Sequence, residues 1–270
     1  MEAGLSVLGK DWGMGSLDQK FFQFDETSGD YLAQKELGRD EDVFKYFLSN
    51  LREAESEAFL YWFQKRLLAE GVLVGTAQTP LELSFCIPED FALVRLCDNQ
   101  AILALASIFF PNHWSPSEKF GKNFLEVHAP IPNMDKINAS HIALLKASLK
   151  QDQPKVRFAW GIATDSRLNH HPIPPLGISQ DVWHGRSPTM DGPLYTRVER
   201  QVLAGIPHTD LVYFSIRTYF TDFSEMNHED LDCIRACILD MDEAILNYKG
   251  LFHCKDLILN RLERAIVALS

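Results

Sequence analysis

Two residues of this 270-residue chain lie in settings that suggest chemistry: a glutamate among apolar residues and a histidine among aromatic ones. The glutamate is Glu199, in residues 194–204, which we interpret as a short helix that ends at Gly205. On such a helix Glu199 lies within an apolar stripe, and the other polar side chains share the opposite side: Arg197, Arg200 and Gln201. A buried carboxylate is costly unless it is paired or protonated. The position of Glu199 therefore indicates a functional site.

The following segment, residues 211–220, alternates in the manner of a β-strand. One side is mainly apolar, and the other carries four polar residues: Tyr213, Ser215, Arg217 and Tyr219. A surface helix followed by a half-solvated strand explains the same pattern without any site. Periodicity alone favours that simpler interpretation.

The histidine is His128, near the end of a second predicted helix. Residues 115–118, Ser-Pro-Ser-Glu, have the composition of a capping box, so we expect a helix from Pro116 that ends near His128, before Pro130. Three apolar side chains share the face of His128: Phe120, Phe124 and Val127. One imidazole in this setting is typical of an axial haem ligand, and also of a core histidine bonded to a backbone carbonyl. The residues themselves favour the core histidine.

Composition limits the broad class of protein. A formal net charge of −11 and an isoelectric point near 5.3 argue against nucleic acid and anionic membranes as partners. We find no signal-peptide pattern, and no apolar run is long enough to span a membrane. The five cysteines lack paired zinc-type spacing, which predicts reduced thiols and a cytoplasmic location.

Periodicity and breakers divide the chain into elements of one domain, residues 1–270, that fall into three parts: 1–78, 79–222 and 223–270. Residues 1–38 are predicted to form an irregular or partly helical arm that packs on the body. Helices are expected over residues 40–71, 138–149, 227–248 and 251–269. Strands are expected over residues 81–87, 91–96, 102–110, 156–162 and 211–220, with 91–110 forming a hairpin. Residues 165–193 form a polar loop in which His170 and His171 are interpreted as residues near an entrance, because no third metal ligand stands at a recognisable spacing.

Several well-known motifs are missing from the sequence. It has no GxxxxGK[ST] loop, strand-linked GxGxxG, HExxH, GxSxG or CxxC. An internal iron–sulfur cluster is therefore not expected. Any redox chemistry would need electrons from an outside source.

Three stretches together resemble the α-subunit family of haem-dependent oxidative N-demethylase: FFPNHWSPSEKFGKNFLEVHAPIP, VRFAWGI and LYTRVERQVLAGIPHTDLVYFSIRTYF. The run R-x-E-R-Q-x-L, followed by a strand that ends I-R-T-Y, is the most specific part. The resemblance extends from the region near Asp40 to the C-terminal helices. It implies an α+β fold whose residues 79–222 form a PAS-like antiparallel sheet with helices on one face, flanked by N-terminal and C-terminal helical extensions. It also implies haem b, O2, a small amine substrate, and electrons from a flavin and iron–sulfur reductase subunit or a general reductase.

The resemblance also suggests roles for individual residues. His128 matches the Ile/Val-His-x-Pro position of the family and becomes the expected axial ligand of the haem iron, with His113 in reserve. Glu199 is expected on the distal side, where it would hold a cationic amine or relay protons. Arg197 and Arg217 are expected to act beside it in catalysis, although the resemblance leaves open which of these two and Arg200 polarises the oxygen site and which pairs with haem propionates. The expected cofactor-binding residues, besides His128, are Arg200, Phe124 and Tyr219.

Other classes of function remain open from the sequence. A haem-binding PAS-type gas or redox sensor without turnover is the main alternative, and an apolar distal side would favour it. A subunit that has lost haem, or a non-haem metal site built from the histidines, is also compatible with the residues.

Overall fold

The structure is a computed structural model that describes residues 4–10, 18–72, 75, 77–150, 153–184 and 187–269. Residues 1–3 and 11–17 of the predicted arm lie outside this described part. Its strands are β1 (Ser6–Val7), β2 (Phe47–Ser49), β3 (Asp90–Cys97), β4 (Gln100–Ser107), β5 (Lys155–Ala163), β6 (Tyr195–Gly205) and β7 (Leu211–Asp222). Its helices are α1 (Ser28–Tyr46), α2 (Glu53–Ala69), α3 (Pro80–Ser84), α4 (Pro116–Lys119), α5 (Phe124–His128), α6 (Asp135–Lys150), α7 (Gln180–Trp183), α8 (His228–Asp240), α9 (Glu243–Tyr248) and α10 (Lys255–Ala268).

The strands form one antiparallel sheet in the order β1-β5-β6-β7-β3-β4-β2. The α+β class and the antiparallel sheet are confirmed. The β3–β4 hairpin is also confirmed, and its turn residues Asp98 and Asn99 both have the positive φ that a tight hairpin turn requires. The strands expected at 156–162 and 211–220 are β5 and β7.

The predicted helix at residues 194–204 is wrong, because this segment is β6, an interior strand of the sheet. It pairs with β5 on one side and β7 on the other, so both of its edges are hydrogen-bonded. Thr196, Val198, Val202 and Ala204 point to one face of the sheet, as strand alternation requires. Arg200 interrupts that apolar series on the same face. The alternation of apolar and polar residues that is typical of a strand is therefore not visible in the sequence.

Four further expected elements differ from the structure. The helix expected over residues 227–248 is two helices, α8 and α9, interrupted at Met241 and Asp242. Residues 81–87 are not a strand, because α3 begins at Pro80 with Thr79 as its N-cap. The long helix at 40–71 is replaced by the end of α1, the short strand β2 and then α2. The helix expected over 116–128 is two short helices, α4 and α5, interrupted where Gly121 takes a positive φ.

Helices cover both faces of the sheet, and α2, which covers one of them, belongs to the predicted N-terminal extension, residues 1–78. We call the face that carries Val202, Ala204 and Tyr213 the core face, where α2 packs together with Phe21 and Phe22 of the arm. We call the opposite face, which carries Leu203 and Val212, the cleft face, where α6 packs. The C-terminal helices α8, α9 and α10 pack near Trp160 and Ile162 of β5.

Candidate active site

A cleft of about 560 Å³ lies beside β5 and β6, within the size range of small-molecule and cofactor sites. The strands β5 and β6, the segments around residues 112 and 165–170, and the end of α9 form its walls. Its chemically active lining residues are Asn112, His113, Trp160, Asp165, His170, Arg197, Glu199, Tyr248 and Lys249.

Glu199 is one of two carboxylates in the wall of this cleft, with Asp165, and its side chain is 20% exposed. As part of β6, it points to the same face as Arg197 and Gln201, two residues away on either side. Arg197 Nε donates to Glu199 Oε1 at 3.4 Å, and Gln201 Nε2 donates to Glu199 Oε2 at 3.0 Å. Each oxygen therefore keeps a free lone pair that can accept a hydrogen bond from a ligand.

Arg197 is buried and fixed by the surrounding backbone. Its Nη2 donates to Phe110 O at 3.0 Å, and its Nη1 lies 3.5 Å from Leu168 O. Burial lowers the pKa of Arg197, and the neighbouring Glu199 carboxylate opposes that change. Arg197 thus acts as a rigid anchor for Glu199.

His170 and His113 form a pair of imidazoles beside Arg197, with their ring centroids 5.0 Å apart. His170 Nε2 donates to Asp165 Oδ1 at 2.9 Å, and its Nδ1 is an acceptor 3.5 Å from Arg197 Nη1. His113 is accessible from the cleft, yet burial by the surrounding protein, together with His170 and Arg197, lowers its pKa to about 4. His113 is therefore a neutral imidazole at physiological pH.

His128 lies at the end of α5, half-buried and stacked on Phe124 with ring centroids 4.0 Å apart. Its Nδ1 lies 2.8 Å from Phe124 O, and because a carbonyl only accepts, Nδ1 carries the hydrogen. Burial lowers the pKa of His128, which leaves its Nε2 with a lone pair. The same α5 has a capping box made by Asn123 and Glu126, not by the expected Ser115, whose hydroxyl bonds to Ser117 instead.

Three further cations interact electrostatically with Glu199: Lys119, Arg157 and Lys249. Arg157 Nε donates to Gln201 Oε1 at 2.6 Å. Lys119 Nζ lies 4.1 Å from the centroid of the Trp114 ring, and Lys249 Nζ lies 4.9 Å from that of Trp160. Burial lowers the pKa of each of the three, and attraction to Glu199 opposes the change in each case.

A family model described as haem-dependent oxidative N-demethylase, alpha subunit-like, matches residues 45–259, which is most of the chain. The chain belongs to this family. The resemblance stated from the three sequence stretches is thereby confirmed. Haem dependence and oxidative N-demethylation are what the name of the family describes.

The family segment contains every predicted site residue, but the structure distributes them over two faces of the sheet. Arg197 and Glu199 lie together in the cleft, and His113 lines it as well. His128 and Phe124 lie on the same face, beside α6, with Lys119 and Arg157 among the charges that act on His128.

The other three predicted residues, Arg200, Arg217 and Tyr219, lie on the core face, turned away from the cleft. Arg200 is bonded to Asp18 at 2.6 and 2.9 Å, and Arg217 to Asp25 at 2.9 and 3.1 Å. The arrangement separates them from Glu199 because β6 and β7 send alternate residues to opposite faces.

The sequence interpretation placed His170 only near an entrance, and it missed Asp165, Lys119, Arg157 and Lys249. The signal for His170 was weak, because its partners Asp165 and Arg197 are joined to it only by the folded loop. Arg157 could have been found by treating residues 194–204 as a strand paired with β5, since Arg157 then lies opposite Gln201.

Two other properties of the described residues bear on the class of protein. No group of three His, Cys, Asp or Glu side chains in the described ranges is placed to hold a metal ion. Within these same ranges, no helix combines the length and the apolar character needed to cross a membrane.

Proposed function

We propose that this protein is a haem-dependent oxidoreductase that uses O2 to oxidise or demethylate a small amine or related nitrogen compound. The observation that carries the proposal is Glu199, a carboxylate held by Arg197 and Gln201 in the wall of a cleft. Family membership supports the haem and the oxidative chemistry. A carboxylate with free lone pairs is the group expected to receive an amine, which is protonated at neutral pH.

Groups on the cleft face would hold haem b. His128 would be the axial ligand, because metal-bound histidines usually donate their other ring N–H to a carbonyl or carboxylate, as His128 Nδ1 does to Phe124 O. Phe124 stacks on that imidazole and would help to orient it. Lys119 and Arg157, close enough to influence the charge of His128, would pair with the haem propionates. When bound, haem supplies the redox chemistry with O2.

Glu199 would accept a proton from the protonated amine. A protonated amine has no free lone pair on nitrogen, so the proton must leave before the nitrogen can be oxidised. Arg197 and Gln201 each occupy one oxygen of Glu199, so they orient the carboxylate and leave it able to accept this proton. Arg197 itself stays in place through Phe110 O.

We also propose a PAS-like core and a separate electron donor. The five long strands β3–β7 lie in residues 79–222, which supports a PAS-like core with helical extensions on either side. The words "alpha subunit-like" support partner subunits, and we propose a flavin and iron–sulfur reductase subunit or a general reductase as the electron donor. The cytoplasmic location stays a prediction that rests on the cysteine pattern.

The first test is the absorption spectrum of the purified protein with haemin, oxidised and then reduced with dithionite. We expect a Soret band in the wild type that is lost or strongly shifted in His128→Ala and retained in the matched variant His141→Ala, since His141 stacks on the same Phe124 ring. A band that survives in His128→Ala and disappears in His113→Ala would identify His113 as the ligand of the haem iron. A wild type without any Soret band would overturn the proposed function.

The second test concerns Glu199→Gln, which removes the charge and keeps the shape of the side chain. We expect amine-induced spectral shifts to need about tenfold or more amine, because a hydrogen bond to a charged group contributes about 1.5–3 kcal/mol. Glu57→Gln, an exposed change on α2, should leave the shifts unaltered. If Glu199→Gln binds amines normally while haem is present, the sensor without turnover becomes the better assignment.

A further inference from the structure

Five cationic side chains of the described residues have pKa values lowered by burial: Lys35, Lys119, Arg157, Arg197 and Lys249. Such cations are normally paired with carboxylates, since an uncompensated buried charge is costly. Lys35 lies 3.8 Å from Asp90, and Arg197 lies 3.4 Å from Glu199. Two of the five are therefore paired.

The other three, Lys119, Arg157 and Lys249, have no carboxylate at salt-bridge distance within the described chain. All three lie close enough to Glu199 to be influenced by its charge, and Glu199 is already engaged by Arg197 and Gln201. The protein as a whole has a net charge of −11, so this local excess of positive charge is specific to the site. The three side chains are only half-buried, and anionic groups of a ligand would neutralise their charge.

The three cations differ in position. Lys119 and Arg157 are the cations that act on the charge of His128, whereas Lys249 lines the cleft next to Tyr248. Lys249 Nζ donates to Trp160 O and lies over the Trp160 ring. An ammonium group has three N–H donors, so Lys249 keeps two for a ligand. Its side chain is half-buried, which limits competition from water.

The chemistry of the unpaired groups is that of carboxylate binding. Haem b carries two propionates, which Lys119 and Arg157 would pair with. That pairing leaves Lys249 without an anionic partner, in the cleft that Glu199 also lines. A carboxylate on the substrate would neutralise the charge of Lys249.

We propose that the substrate is an amine that also carries a carboxylate, as an N-methyl amino acid does, and that Lys249 binds this carboxylate. The inference rests on the proposed function, because it names the substrate class of the same cleft. Glu199 receives the ammonium end and Lys249 the acidic end. A simple amine such as dimethylamine would bind to Glu199 and would have no group for Lys249.

The test is a calorimetric titration of the full chain, with and without haemin, using three probes: N-methylglycine, its methyl ester and dimethylamine. We expect the wild type to bind N-methylglycine about tenfold or more tightly than the other two, as one charge-assisted hydrogen bond implies. Lys249→Met should lose this preference, and Lys136→Met, an exposed change on α6, should keep it. Thermal unfolding of each variant reports whether the fold is intact.

The result that overturns the proposal is a wild type that binds dimethylamine or the ester as tightly as N-methylglycine, or a Lys249→Met variant that keeps the preference. Absence of any N-methylglycine binding overturns it as well.

A second titration separates the two sources of carboxylate, with haemin and haemin dimethyl ester followed by absorbance. Lys119→Met and Arg157→Met should reduce the preference for haemin over its ester, and Lys249→Met should leave it unchanged. If Lys249→Met weakens haemin binding and N-methylglycine binding persists, Lys249 belongs to the cofactor and the substrate assignment is overturned. Failure of the wild type to bind haemin overturns the proposed function instead, and the haem-free calorimetry still decides the role of Lys249.

Discussion

At the scale of single residues, the local environment separates the histidines of this protein. His128 donates its Nδ1 hydrogen to Phe124 O, which orients the ring and leaves Nε2 available. His170 is engaged at both nitrogens, by Asp165 and Arg197. His113 faces the cleft with its pKa lowered to about 4. A histidine must be neutral to bind a metal ion, so His113 and His128 both meet that requirement and His170 does not have a free nitrogen.

The environment of His113 predicts its titration. Because burial and the neighbouring His170 and Arg197 disfavour its protonated form, we expect no protonation of His113 until the pH approaches 4. The unfolded chain would bind this proton near pH 6.5, so stability from this group is lost as the pH falls from about 6.5 towards 4.

The measurement is a histidine NMR titration of the haem-free protein, with the signal assigned by comparison with His113→Gln. The stability of that variant should fall less steeply over the same pH range. A midpoint near 6.5 for His113 would contradict the prediction.

At the scale of elements, the interior strand β6 directs alternate side chains to the two faces of the sheet. Arg197, Glu199 and Gln201 point to the cleft, and Arg200 and Val202 point to the core face. Extended backbone therefore places the anchor, the carboxylate and its second partner in one row at alternate positions. A helix would have distributed the same residues around a cylinder.

The end of β6 predicts a sharp requirement for glycine. A Cβ at Gly205 would lie 2.6 Å from Leu149 Cα of α6 and closer still to Ser148 O. Both neighbours are backbone, so Gly205→Ala would force β6 and α6 apart. We expect a loss of about 2 kcal/mol or more in the free energy of unfolding, as overpacking of a tight contact costs about 1–3 kcal/mol.

The matched control is Gly161→Ala on the neighbouring strand β5, where an added Cβ meets nothing within 4 Å. Urea unfolding of both variants provides the measurement. Equal stability of the two variants would show that α6 is not packed against β6 as described.

At the scale of the whole molecule, the N-terminal arm closes the core face. Phe21 and Phe22 are buried in the main core with α2. Asp18 pairs with Arg200, and Asp25 pairs with Arg217, whose side chain is fully buried against Tyr31. The two arginines therefore attach the arm to the sheet, although the arm precedes the matched family segment, residues 45–259.

This attachment predicts the effect of Asp25→Asn. The change leaves the buried Arg217 without its carboxylate, and we expect a loss of about 2 kcal/mol or more in the free energy of unfolding. Glu26→Gln, the adjacent exposed residue, should have little effect. Thermal unfolding provides the comparison, and haem absorbance should be the same in both variants. A change of the haem spectrum in Asp25→Asn would indicate that Arg217 contributes to the haem site.

Much of the fold could be predicted because local patterns agree with the tertiary structure. The turn residues Asp98 and Asn99 and the alternation in residues 211–220 led to the β3–β4 hairpin and to β7. The prediction failed at β6 because Arg200 breaks the apolar alternation, and its partner Asp18 is far away in the sequence. It failed at α4 and α5 because the interruption near Gly121 leaves the helical spacing intact.

For the site, residue types and family motifs were enough to select Glu199, Arg197 and His128. Motifs follow from the order of residues along the chain, so they survive an error in secondary structure. The face on which a side chain lies depends instead on strand pairing, which joins distant segments. Tertiary structure alone therefore placed Arg200 and Arg217 on the core face, and brought Arg157 and Lys249 within the electrostatic influence of Glu199.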